Sequence, residues 1–218
     1  MPFVLLGPPG CGKGTYARLL EERMGLLPVS MGQLLRNASK GKTPFARKLK
    51  KALARGELQS LLVVLRVLLP HLEKVRYNRV LLDGFPRLTD QALAFEGILH
   101  KKRLGIERVI LIDTPSREIV RRLGARRVCS LCGQTFGIDV PPKRKGVCDS
   151  CGGRLVRRSD DAPKVVRARL KVYARDTKPL IAFYRKRGLL TRVNGFGPPE
   201  RVYARIEKAI QRAQRKKN

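Results

Sequence analysis

The sequence predicts an α/β fold, a parallel sheet with helices on both faces, and three observations carry that expectation. Short continuous apolar runs recur at 3–6, 79–82, 109–112 and 189–193, with a shorter candidate at 27–29, and amphipathic helical stretches lie between them. Uninterrupted runs of that kind belong to strands buried on both faces, as in parallel sheets covered by helices. A glycine-rich loop at 7–15 follows the first run directly and leads into a helical pattern. It therefore sits at the carboxyl end of a strand, where such sheets place their ligand crevice. At 218 residues the chain suffices for one compact core with small insertions, and no second independent domain is expected.

Taken in order, Phe3-Val4-Leu5-Leu6 is the first strand. No basic region precedes it and the loop follows at once, which is not the pattern of a signal peptide. The loop reads Gly7-Pro8-Pro9-Gly10-Cys11-Gly12-Lys13-Gly14-Thr15. Its glycines let successive N–H groups turn inward toward an anion, and the helix that continues through Tyr16 aims its positive N-terminus at the same point. Lys13 adds a mobile charge for outer phosphates and Thr15 a hydroxyl for magnesium. The strict motif has Ser or Thr immediately after the lysine, whereas Gly14 intervenes here. Two segments break the alternation: 30–60, helical and basic without a strand, and 125–162, which holds Pro, Gly and Cys clusters. Each reads as an insertion over the crevice. The basic tail from Gln211 is the segment expected to be disordered.

Cys129-x2-Cys132 and Cys148-x2-Cys151 are fifteen residues apart, the spacing of a four-thiolate zinc site. Gly133 and Gly152 follow the two pairs and permit the tight turns that aim both sulfurs of a knuckle at one ion. Tetrahedral thiolates suit zinc best, although iron takes the same ligands. With four protein ligands no position is left for a reactive water, so the metal is expected to be structural. Two disulfides are the alternative, and the lack of a secretion signal argues against them.

The formal charge is +31, from 48 Lys and Arg against 17 Asp and Glu. The excess spreads over 40–51, 101–103, 143–145 and 212–217, more than one active site can use. Such a surface is expected to bind RNA or DNA non-specifically at low salt through counterion release. Solvated basic faces without a partner are the equal alternative. Heat adaptation fits poorly, because it raises acids together with bases. The longest apolar stretch, 61–69, is interrupted by Arg66 and falls far short of the about 18 residues of a membrane span. A cytoplasmic protein that does not use the membrane is expected.

The sequence resembles the adenylate kinases of the nucleoside monophosphate kinase family, in their long form with a zinc-bearing lid. The resemblance runs over nearly the whole chain. It rests on the loop at 7–15, on Leu82-Asp83-Gly84-Phe85-Pro86-Arg87 with Gln91 beyond, and on the four-cysteine segment. It continues through Arg158-Ser159-Asp160-Asp161, Arg169-Leu170, Tyr173, Thr177-Lys178-Pro179-Leu180 and Tyr184. It implies a P-loop NTPase-type sheet of five parallel strands, with a core of 1–29, 61–124 and 163–218, a helical NMP-binding subdomain at 30–60 and a zinc-ribbon lid at 125–162. The implied reaction is reversible transfer of the γ-phosphoryl group of Mg-ATP to AMP, giving two ADP, by a monomer.

Phosphoryl transfer needs in-line placement and charge neutralisation more than a nucleophilic side chain. By resemblance, Gly10, Cys11, Gly12, Lys13, Gly14 and Thr15 hold the ATP phosphates, Arg122 stacks on the ATP adenine, and the Gly197 carbonyl faces its amino group. Lys13, Arg87, Arg126, Arg158 and Arg169 are the catalytic set, and Thr15 with Asp83 holds magnesium through water. Arg36 and Arg87 grip the AMP phosphate, with Gly84, Gln59, Gln91, Arg158 and Arg169 completing the acceptor site. Asp160 and Asp161 are expected to pair with the lid arginines. Asp83 has alternatives, a helix cap or a pair with Lys13, and Gln91 is either a base reader or merely exposed.

The chain departs from the resemblance in the acceptor subdomain. Ser30-Met31-Gly32-Gln33 stands where Ser-Thr-Gly-Asp is usual, and Gln59-Ser60-Leu61 stands where Val-Pro-Asp is usual. An apolar side chain at 31, placed against a purine face, replaces a hydroxyl. AMP is expected as best acceptor with looser discrimination than usual. The rival readings are a kinase for other acceptors such as CMP or UMP, and a nucleotide-regulated RNA-binding protein on the same scaffold.

Overall fold

The computed structural model describes residues 1–215, Ser159 by its backbone alone. Strand β1 (Phe3–Leu6) enters the loop and helix α1 (Lys13–Met24), which stops at Gly25 in the left-handed region. Strand β2 (Leu27–Ser30) leads into α2 (Met31–Ala38) and α3 (Pro44–Arg55). The start of α3 is set locally: Thr43 accepts from the Ala46 N–H at 3.1 Å and Pro44 occupies the first helical position. Helix α4 (Leu61–Lys74) absorbs the apolar run at 61–69 and precedes β3 (Val80–Asp83), α5 (Thr89–Lys101), β4 (Arg108–Asp113) and α6 (Ser116–Ala125). Three short strands, β5 (Arg127–Cys129), β6 (Thr135–Phe136) and β7 (Leu155–Val156), form a small antiparallel ribbon. A 3-10 turn at Ser159–Asp161, α7 (Pro163–Val172), a π-helical turn at Tyr173–Thr177, α8 (Pro179–Lys186), β8 (Leu190–Asn194) and α9 (Pro199–Arg215) complete the chain.

The main sheet has the order β2-β3-β1-β4-β8, with every pairing parallel. Val4 lies between Leu82 and Val109 in register. Successive side chains of a strand alternate between faces, and both faces are filled. Val4, Leu6, Leu82 and Leu111 join a core with Leu68, Phe85, Phe95 and Tyr184 on one side. Phe3, Leu5, Ile110 and Ile112 join Leu20, Ile206 and Ile210 on the other. Each such side chain contributes about 1.5–3 kcal/mol on burial. The carboxyl ends of β1, β3 and β4 thereby converge on one crevice, which the loop after β1 occupies.

Between 30 and 60 the chain forms α2 and α3 with non-helical links at 39–43 and 56–60, and Ser30 closes β2. The expected disorder from Gln211 is corrected. α9 runs to Arg215, with Val202, Ile206, Ala209, Ile210 and Ala213 buried at helical spacing. That apolar stripe anchors the end of the helix despite its cations, and 216–218 lie outside the described residues. Among the described residues no helix is long and apolar enough to cross a membrane.

Phe95 is fully buried, with its ring 5.1 Å from that of Phe85 in an edge-on arrangement. Phe95→Ala is expected to cost about 3–5 kcal/mol. A thermal melt should read this as a fall in Tm on the order of 10 °C.

Candidate active site

The crevice holds a cavity of about 580 Å³ whose walls include Lys13, Thr15, Asp83, Arg87, Arg126 and Arg169. Its floor is the glycine loop, in which Gly10 and Gly12 have φ of 86° and 98°, values that L side chains rarely adopt. Lys13 Nζ folds back and donates to the carbonyls of Gly7 and Pro8 at 2.8 and 3.0 Å. Asp83, at the end of β3, accepts from Ser30 Oγ at 3.4 Å, and Lys13 contacts the loop carbonyls instead of Asp83. A Cβ built on Gly14 would lie 3.9 Å from Asp83 Oδ2, so this carboxylate stands over the first turn of α1, beside Thr15. The Cys11 side chain is buried in the core below the loop and does not face the cavity. Its carbonyl accepts from Arg122 Nη1 at 3.3 Å.

Seven arginines line this cavity; beside Arg18 of α1 and Arg122 of α6, five come from separate places: Arg36 from α2, Arg87 after β3, Arg126 at the end of α6, Arg158 before the 3-10 turn and Arg169 from α7. Asp160 and Asp161, both in that turn, accept from three of them. Arg126 is bidentate on Asp161, with Nε at 2.7 Å. Arg158 Nε donates to Asp160 at 2.8 Å, and Arg169 reaches the same carboxylate at 3.1 Å. Burial, then repulsion from Arg158, lowers Arg36 to about 10. Burial likewise lowers Arg169 to about 10, against the pull of Asp160 and together with repulsion from Arg126 and Arg158. Arg87 is pushed down mainly by burial. Burial would raise Asp160, but hydrogen bonding and attraction from Arg158, with Arg169 and Arg126, outweigh it and leave the carboxyl at about 2. With Arg36, Arg87, Arg126, Arg158 and Arg169 partly buried around it, the cavity is a cationic space suited to a polyanion.

Arg87 depends on a glycine. Its Nε donates to the Gly84 carbonyl at 2.9 Å, and a Cβ on Gly84, whose φ is 76°, would lie 2.9 Å from its guanidinium. The Arg87 N–H donates to Gln91 Oε1 at 2.9 Å, while Gln91 Nε2 donates to the Gln59 carbonyl at 3.1 Å. Gln91 is thus buried with both ends of its amide engaged, neither exposed nor turned to the cavity. Gln59 also stands off the cavity, its Nε2 donating to the Glu57 carbonyl at 3.3 Å. Met31, expected against a purine face, is instead buried in the core with Leu35 and Val64, because the first turn of α2 aims it inward. Gly197, with φ of 115°, is not part of the wall, whereas nearby Pro199 is.

Arg122 ties three parts together. Its Nε donates to Glu118 at 2.7 Å and forms an ion pair at 2.8 Å with Asp139 of the 125–162 segment, while Nη2 reaches the Gly195 carbonyl beyond β8 at 3.3 Å. These in-plane contacts fix the orientation of the guanidinium plane at the cavity wall. Glu118 and Asp139 escaped the sequence reading; the readable signal was Glu118 at helical spacing from Arg121 and Arg122. Gln33 also matters, since its Oε1 accepts from Arg36 Nη2 at 2.9 Å and lies 3.2 Å from where a Gly133 Cβ would be. The π-helical turn widens the backbone after α7 and brings Tyr173 and Thr177 to the wall.

The four cysteines of the ribbon are free thiols, with all four Sγ atoms within 4.8 Å of one another. Cys129–Cys151 and Cys132–Cys148 are 3.4 and 3.6 Å apart, near the about 3.8 Å edge of a tetrahedron with zinc–sulfur bonds of about 2.3 Å. The two knuckles repeat one turn: the N–H of Gly133 donates to the Cys129 carbonyl at 3.1 Å and that of Gly152 to Cys148 at 3.0 Å. The backbone N–H of Cys132 pulls the Cys129 thiol down to about 6, toward the thiolate a metal requires. The donor set fits a tetrahedral thiophilic ion.

Glu118, 6 % exposed, is pulled from 4.5 to about 2, first by hydrogen bonding from Arg121 and then by Arg122. A depressed carboxyl stabilises the fold fully above its unfolded value and loses that contribution as pH falls through its folded one. Glu118→Gln should therefore lower Tm at pH 7, and the gap to the unsubstituted protein should close between pH 4.5 and 2 in melts across that range. A gap that persists would assign Glu118 to packing. The profile of the family described as "Adenylate kinase" matches residues 5–189. Curated relatives named adenylate kinase include one from Carboxydothermus hydrogenoformans, 40 % identical over 97 % of this chain and 100 % of its own length. Another from Pyrococcus horikoshii is 39 % identical over 94 % of both, and one from Methanothrix thermoacetophila is 38 % identical over 98 % of this chain and 100 % of its own. With the match spanning the loop, the arginine cavity and the ribbon alike, the chain belongs to the adenylate kinase family.

Proposed function

We infer that this chain transfers the γ-phosphoryl group of Mg-ATP reversibly to AMP, giving two ADP. The observation that carries it is the convergence of Lys13 and seven arginines on one cavity over a glycine loop. On the donor side the loop amides from Gly10 to Thr15 and the Lys13 ammonium hold the ATP phosphates. Thr15 and Asp83 are the residues that would hold magnesium through water; the ion supplies charge neutralisation to the phosphate chain. On the acceptor side Arg36 and Arg87 offer forks of donors to the AMP phosphate. Arg126, Arg158 and Arg169 lie between and neutralise the charge that spreads over the transferred group. Asp160 and Asp161 keep those side chains aimed while no phosphate is bound. The 125–162 segment closes the cavity to water, which would otherwise take the phosphoryl group.

AMP is the preferred acceptor with reduced discrimination, because Met31 is turned into the core and offers the base no hydroxyl. The four thiolates hold a structural zinc ion. The ribbon's own buried cluster is only Cys129, Phe136 and Cys148 with Leu155 beside it, too little to keep it folded. Free thiols suit a cytoplasmic monomer, whose basic surface binds nucleic acid non-specifically at low salt.

A coupled assay with Mg-ATP and each of AMP, GMP, CMP and UMP should show fastest ADP formation with AMP. Lys13→Ala should lose at least about 100-fold of that rate. Turnover of CMP or UMP equal to that of AMP would overturn the preference. Chelation with verified metal removal should lower the melting temperature and loosen the ribbon; an unchanged melt would remove the structural role of zinc.

A further inference from the structure

We propose that the groove between β8 and α9 binds single-stranded nucleic acid, independently of the kinase site. The groove has a volume of about 410 Å³, and none of its lining residues is shared with the nucleotide cavity. Five of them are Arg108, Arg192, Arg205, Lys208 and Arg212, and no carboxylate is among them. β8 is the outer strand of the sheet, so the groove opens along its free edge. Arg205, Lys208 and Arg212 stand at i, i+3 and i+7 on α9, a row of about 10 Å at the helical rise per residue. Because the opposite stripe of α9 is buried, this row cannot turn inward.

The charges of α9 are sorted, not scattered. Its two acids both face away from the groove: Glu200 is bidentate on Arg23 of α1, at 2.7 and 2.9 Å, and Glu207 accepts from Tyr203 Oη at 2.9 Å. Among the described residues Arg205, Lys208 and Arg212 form no ion pair. Arg205 Nη1 instead donates to the carbonyls of Asn194 and Phe196, at 2.9 Å each, which orients the side chain without neutralising it. Arg192 pairs with Asp113 at 2.7 Å, but both side chains are at least half exposed and such a pair is weak. Arg108 Nη1 donates to the Gly188 carbonyl at 2.7 Å, while its Nε is buried without a hydrogen-bond partner.

A second observation selects the ligand. Phe196, 48 % exposed, follows the groove residue Asn194 by two positions, and its backbone is tied to the groove, its N–H donating to Asn194 Oδ1 at 2.9 Å and its carbonyl accepting from Arg205 Nη1 at 2.9 Å. A backbone-tracking row of cations beside an exposed, anchored aromatic is the arrangement that binds phosphates while a base stacks. RNA and DNA single strands share that chemistry. A duplex offers no free base face, and a lipid surface has none.

The test uses fluorescence anisotropy of labelled U12 and dT12 with the full chain, its kinase cavity filled by excess ADP, over a KCl series. Both probes are expected to bind, with tighter U12 marking RNA as the source. The triple variant Arg205→Gln/Lys208→Gln/Arg212→Gln should bind at least ten-fold more weakly, with a salt slope shallower by about 2. Phe196→Ser should weaken binding at least five-fold without changing that slope. The equally charge-depleted control Lys48→Gln/Lys50→Gln/Lys51→Gln, on the exposed face of α3, should stay within two-fold. Adenylate kinase turnover should be unchanged in all three, which separates this proposal from the kinase reading. Displacement of the probes by ADP, equal loss in the control, tighter binding of a 12-base-pair duplex, or retention of phosphatidylserine vesicles in place of U12 would each overturn it.

Discussion

Mutual repulsion among five half-buried guanidinium groups is the constraint on which the site depends, and Asp160 with Asp161 makes it tolerable. Without those carboxylates Arg126, Arg158 and Arg169 would either separate or draw water into the cavity, and the acceptor-side pair would face them uncompensated. Removing one member of a buried, hydrogen-bonded ion pair typically costs about 3–5 kcal/mol, since the partner is left charged in a poor solvent. Glu21, Asp83 and Asp139 also line the cavity, yet with Lys13 and seven arginines on its wall the space is net positive. The imbalance creates affinity for a polyanion, and the fixed directions of the side chains mean that little reorganisation remains when charge moves during transfer.

The parallel sheet makes such a concentration of charge possible. Because its strands share a direction, β1, β3 and β4 end side by side, and each end hands a different group to the crevice: the loop and Lys13, Asp83 with Gly84 and Arg87, and the chain leading to α6 with Arg122 and Arg126. The apolar layers on both faces hold those ends in register. Phe85 shows how closely packing and chemistry are joined, since it sits in the core directly between Gly84 and the turn that presents Arg87. A shift of that ring would move an arginine that lines the cavity.

Arg122 plays a comparable part between the core and the 125–162 segment. Through Glu118 it is fixed to its own helix, through the Cys11 carbonyl to the loop, and through Asp139 to the segment above. Gln33 of α2 stands close to the first knuckle, where a Cβ on Gly133 would lie 3.2 Å from its Oε1. The core, the 30–60 segment and the 125–162 segment therefore come together at side chains that also line the cavity.

Much of this was legible in the chain because it is local. Apolar runs of strand length, the glycines and lysine of 7–15, and the paired cysteines are written in neighbouring residues, and backbone geometry forces their meaning wherever they occur. The motif arginines at 87, 126, 158 and 169 were readable for the same reason. What the sequence could not decide was how each side chain spends its donors and acceptors once distant segments meet. Gln91 is consumed by Arg87 and Gln59, Met31 is taken by the core, Asp139 is recruited to Arg122 from a different segment, and the cation-rich end of α9 is held by its apolar stripe. Those outcomes turn on competition for burial and hydrogen bonds between residues far apart in the chain, and only the tertiary structure settles that competition.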